Sequence, residues 1–140
     1  MSRGLWEPSM RIDHVGIVVR DIQEALEVYG TALGLPLTEI VEVPDQEVEI
    51  AFLPVGESNL ELVQPTTDDT GIARFLERQG EGIHHICIEV EDIKATLARL
   101  KDHDVPLIDE VPRQGAHGRV AFVHPEGAHG VLVELVEHDG

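Results

Sequence analysis

Positive charge is scarce in this 140-residue sequence: ten Lys and Arg stand against 27 Asp and Glu, for a formal net charge of −17. Only Lys94 and Lys101 are lysines. With no extended basic surface to neutralise phosphates, nucleic acid and anionic membrane are not expected partners. Cysteine is scarcer still. Cys87 has no second cysteine to pair with and lies in an alternating apolar run, so it reads as a buried, inert thiol. Also missing is any apolar run near the roughly 20 residues of a membrane span, and "MSRGLWEPSM" lacks the apolar stretch and small-residue cleavage site of a signal peptide. A cytoplasmic location is the expectation. What remains is a chain of single-domain length whose 42% apolar content is enough to bury a core.

The informative feature is a repeat. "RIDHVGIVVRDI" from Arg11 returns as "GIHHICIEVEDI" from Gly82, placing His14 over His85 and Asp21-Ile22 over Asp92-Ile93. Each Asp-Ile opens a run with helical spacing: Ile22, Ala25, Leu26 and Tyr29 in one copy, Ile93, Leu97 and Leu100 in the other. Each Asp is placed to cap its helix, and Gly34 and His103-Asp104 mark the exits. Three strand-like runs follow in each copy, near 37–43, 47–53 and 59–63, then near 106–111, 119–124 and 130–136, separated by Pro and Gly turns. "AFLP" recurs as "AFVHP", and "NLELV" as "VLVELV".

The expected organisation is an N-terminal tail over 1–10, a first βαβββ module over 11–69, a connecting helix over 70–81 and a second module over 82–140. Residues 11–137 form one structural domain in this reading. The fold class is α+β: two tandem βαβββ modules forming a curled mixed sheet around a metal-containing cleft.

Pseudo-two-fold symmetry brings equivalent residues together, and the equivalent pairs here are His14 with His85 and Glu61 with Glu134. Glu61 in "LELV" and Glu134 in "VELV" have apolar neighbours on both sides, and a carboxylate buried there needs a partner. A divalent cation held by two imidazoles and two carboxylates satisfies all four residues. That mixed set suits Co²⁺, Ni²⁺, Mn²⁺, Fe²⁺ or Zn²⁺ and leaves two octahedral positions for substrate or water. By strand alternation His84 faces away from His85 and is structural. His103 and His138 read as exposed, while His117 and His129, each in "GAHG", sit in turns able to border the cleft.

The fragments "IDHVGIVV", "GEGIHHICIEV", "PRQGAHGRVAFVHP" and "GVLVELVE" resemble the vicinal oxygen chelate superfamily, and within it the methylmalonyl-CoA epimerases, over Arg11 to Glu137. The resemblance implies metal ligands at His14, Glu61, His85 and Glu134, with Co²⁺ favoured and Mn²⁺, Ni²⁺ or Zn²⁺ as alternatives. It implies an acyl-CoA substrate, a homodimer, and acid/base roles for Glu134 and Glu49 on either side of the carbon that is deprotonated and reprotonated. His117 and Arg113 are the expected substrate contacts, with Arg119, Arg74 and Arg78 as further cations for an anionic CoA. Two other readings fit the same residues: a glyoxalase-like lyase acting on a glutathione hemithioacetal, and a metal-free small-molecule-binding module.

Overall fold

The computed structural model describes residues 10–139, so all of the expected N-terminal tail except Met10 lies outside the described residues. The described residues separate into two compact units, one spanning His14–His85 and the other combining residues 10–13 with residues 86–139. The strand β1 (Arg11–Val18) and the strand β5 (Gly82–Glu89) each contribute to both units. His14 and His85 therefore belong to the same one.

In the first unit β1 leads to the helix α1 (Ile22–Leu26), which runs on as a π-helical turn over Glu27–Ala32, then to strands β2 (Glu39–Val43), β3 (Val48–Val55) and β4 (Ser58–Pro65). The strands lie in the order β2-β3-β4-β1, with β4 and β1 parallel and the other pairs antiparallel. Asp21 caps α1 by accepting the Glu24 N–H at 3.1 Å. On the helix side of these strands Ile17, Val19, Ala51, Leu53 and Leu62 bury Ile22 to 1% exposure, a contribution of roughly 1.5–3 kcal/mol for that side chain. On the other side Val43, Val48, Ile50, Phe52 and Val63 pack together, joined by Ile72 of the helix α2 (Gly71–Gln79). That second side is the one that carries the polar site.

The second unit repeats the plan with β5, the helix α3 (Ile93–Asp102), and strands β6 (Arg113–Gln114), β7 (Gly118–Val123) and β8 (Val133–His138), ordered β5-β8-β7-β6. Asp92 caps α3 through the Ala95 N–H at 3.0 Å. A further device recurs. Three residues after each strand glutamate, the last strand sends a side chain to the first turn of the helix: Gln64 accepts the Ile22 N–H at 2.9 Å and Glu137 accepts the Ile93 N–H at 3.0 Å. That backbone hydrogen bond and the guanidinium of Arg119 hold the Glu137 carboxyl below its ordinary range.

Two local expectations need correction. The run near 106–111 is not a strand: it meets β7 at an isolated bridge, Leu107 to Val123, and through the Ile108 and Asp109 N–H groups on the Phe122 carbonyl, and the strand there is the short β6. Pro106 and Pro112 lack N–H groups, and the Asp109 carboxylate takes the Phe122 N–H at 2.8 Å in place of a backbone carbonyl. His138 is not an exposed tail residue either. Its Nε2 lies 2.6 Å from Oδ1 of Asp13, which is 5% exposed and requires such a partner. No helix among the described residues is long and apolar enough to cross a membrane.

Candidate metal centre

His14 enters from β1, Glu61 from β4 and His85 from β5, and the three are only 6%, 6% and 7% exposed. The two imidazoles meet edge to face with their Nε2 atoms 3.0 Å apart. Each outer nitrogen is also engaged. Glu61 Oε2 lies 2.9 Å from His14 Nδ1, and His84 Nδ1 lies 2.9 Å from His85 Nδ1. A neutral imidazole has one N–H, so when each Nδ1 donates outward both Nε2 lone pairs point at the same place. Such a pair calls for a cation or a shared proton between them.

That donor set fits a divalent metal. The two Nε2 atoms, 3.0 Å apart, would hold such a cation, for which neutral imidazole nitrogen is a common ligand. Glu61, expected as a direct ligand, stands instead at the far nitrogen of His14, the position of a carboxylate that orients a metal-binding histidine.

Sequence reasoning overlooked Gly16. It is the β1 register partner of Glu61, and a Cβ built on it would overlap the His85 ring, falling 2.6 Å from each ring nitrogen. The signal was present: a glycine inside an otherwise apolar strand pattern marks a close approach, and its repeat counterpart is Cys87.

The second unit places Glu134 on β8 at 7% exposure, opposite Phe122 on β7, just as Glu61 lies opposite Phe52. Arg113 belongs to the same side of that unit: its guanidinium lies 6.0 Å over the Phe122 ring and its Nε is 3.1 Å from Asp109. His117 is exposed, and its carbonyl accepts the Asp139 N–H at 3.1 Å; His129 is an exposed turn residue at φ 56°. Arg119 pairs with Glu137 at 2.7 Å, and Arg74 approaches Asp69 at 3.5 Å.

Glu49 is not brought to the imidazole pair. It is in register with Gln64, three residues from Glu61 on β4, and alternation sends Glu49 to the helix side, away from Phe52 and Glu61. The repeat agrees, for the position equivalent to Glu49 is Arg119, which bonds Glu137 on the helix side of its own unit. Glu49→Gln is therefore expected to keep kcat within about threefold of the parent, the effect of a residue off the site. A loss of a hundredfold in a steady-state assay would instead return Glu49 to the chemistry.

Comparison with known proteins places these features in a family. The model of the Glyoxalase/Bleomycin resistance protein/Dioxygenase superfamily matches residues 13–122, and the chain belongs to that superfamily. Within it, the human mitochondrial methylmalonyl-CoA epimerase is 40% identical over 127 residues, 89% of this chain and 72% of that protein. The ethylmalonyl-CoA/methylmalonyl-CoA epimerase of Cereibacter sphaeroides is 40% identical, covering 89% of this chain and 96% of the relative. A solved structure of methylmalonyl-CoA epimerase in complex with methylmalonyl-CoA and NH₄⁺ superposes with a TM-score of 0.89 at 35% identity, covering 94% of this chain and 96% of that one. The uncharacterized protein YqjC of Bacillus subtilis, 43% identical over 93% of this chain and 94% of its own length, is a further relative.

Proposed function

We propose that this chain is an isomerase, a metal-dependent epimerase that interconverts (2R)- and (2S)-methylmalonyl-CoA and acts as a cytoplasmic homodimer with Co²⁺ as its metal. The observation that carries the reading is the pair of buried Nε2 atoms 3.0 Å apart, each imidazole engaged at its other nitrogen, in a chain whose relatives bear the epimerase name. In this proposal His14 and His85 are ligands, and Glu61 holds His14 in the tautomer that exposes Nε2. Glu134, the repeat counterpart of Glu61, joins as a further ligand and as an acid/base group.

When bound, a divalent cation beside a thioester carbonyl stabilises the negative charge that develops on its oxygen as the neighbouring carbon loses a proton. The residues then have a proton to move. Glu134, 7% exposed on β8, takes it from C2 or returns it there. Arg113, seated over Phe122 and restrained by Asp109, supplies a fixed positive charge for an anionic part of the substrate. Its restraint lowers the entropy lost on binding.

The decisive experiment follows deuterium entry at C2 of methylmalonyl-CoA in D₂O by mass spectrometry, with Co²⁺-loaded and chelator-treated protein side by side. Rapid labelling that disappears with the metal is expected. Absence of labelling by folded, Co²⁺-bound protein would discard this substrate and bring the glyoxalase-like lyase forward.

A further inference from the structure

We infer that His84 is a positioning residue that sets the tautomer of His85 and ties the metal centre to α2. By strand alternation alone His84 would face away from its neighbour, yet its Nδ1 lies 2.9 Å from Nδ1 of His85. The two rings stand edge to face at 88°, with centroids 5.2 Å apart. A second ring holds His84 there. Phe75 of α2 meets it edge to face at a centroid distance of 4.9 Å. The helix is anchored in turn at its start, where Thr70 accepts the Ala73 N–H at 3.1 Å.

The chemistry requires one direction for the bond between the two histidines. For His85 to present a lone pair at Nε2 its proton must sit on Nδ1, so His85 donates and His84 accepts, which leaves the His84 proton on Nε2. Glu61 does the same for His14 from the other side. The two imidazoles are thus backed by a carboxylate in one case and by a third histidine in the other. Removing an outer partner of a metal-bound histidine typically weakens metal affinity by about 10–100-fold.

This inference rests on the proposed metal reading, and two substitutions separate an acceptor from a mere filler. His84→Asn keeps a side-chain acceptor near the place of Nδ1, whereas His84→Phe keeps an aromatic ring against Phe75 and removes the acceptor. Co²⁺ affinity is measured by competition with a chromophoric chelator, alongside the ¹⁵N shifts of His85 in metal-free protein. His84→Phe is expected to bind Co²⁺ about 10–100-fold more weakly and to lose the Nδ1–H tautomer of His85, with His84→Asn within about threefold of the parent. Parent-like Co²⁺ affinity and tautomer in His84→Phe would overturn the inference, as would equal losses in both variants. If the parent binds no Co²⁺ at all, the metal reading fails, and the ¹⁵N tautomer comparison still decides the role of His84.

Discussion

Glu134→Gln is expected to lower the rate of C2 proton exchange by about 10²–10⁴-fold, the range a positioned general base contributes. The substitution is nearly isosteric, so packing against Phe122 on β7 and Cys87 on β5 is retained. A neutral amide has no basic oxygen for a carbon-bound proton, but its carbonyl can still ligate a cation. The loss should therefore fall on kcat, with Co²⁺ affinity changing much less. Deuterium incorporation under saturating substrate and a Co²⁺ titration of the same preparation read the two effects separately. Exchange at the parent rate would remove Glu134 from the proton transfer; unchanged exchange with weakened Co²⁺ binding would confine it to a ligand's role.

The second large effect is expected from the smallest substitution. Gly16 is not among the residues with positive φ, so alanine fits the backbone conformation and the cost is purely steric. The added Cβ overlaps the His85 ring, and one of them must move. The backbone at Gly16 is held in a ladder between residues of β1 and β4, whereas an imidazole turns about two bonds. His85 yields, and its Nε2 leaves the position opposite His14. Gly16→Ala should thus stay folded, at a cost of about 1–3 kcal/mol for the overpacking, while Co²⁺ affinity drops at least a hundredfold. Thermal unfolding and chelator competition on one sample check both halves. Parent-like Co²⁺ affinity would show that the His85 ring tolerates a neighbouring methyl group and that its close approach to Gly16 has no bearing on the site.

The reason to separate ligation from support is visible in Glu61 and His84. Glu61 shares a repeat position with Glu134 and His84 is adjacent to His85, yet both are found at an outer imidazole nitrogen. Residue type and repeat position place a side chain on a strand but say nothing about which atom of a histidine it reaches. Glu49 illustrates the same limit at the level of the strand: from pattern alone both of its faces were open, and only its pairing with Gln64 sends it to the helix side.

What the sequence by itself determined is the duplicated βαβββ plan, the capped helices at Asp21 and Asp92, and the candidacy of four residues, because a repeat preserves period, caps and register positions that are local properties of the chain. Tertiary structure alone decided the 3.0 Å approach of His14 to His85, the glycine that makes room for it, and the support of His85 by His84 and Phe75. Those depend on distances between strands far apart in sequence and on ring orientations set by packing. Neither is encoded in the spacing of residues along one strand.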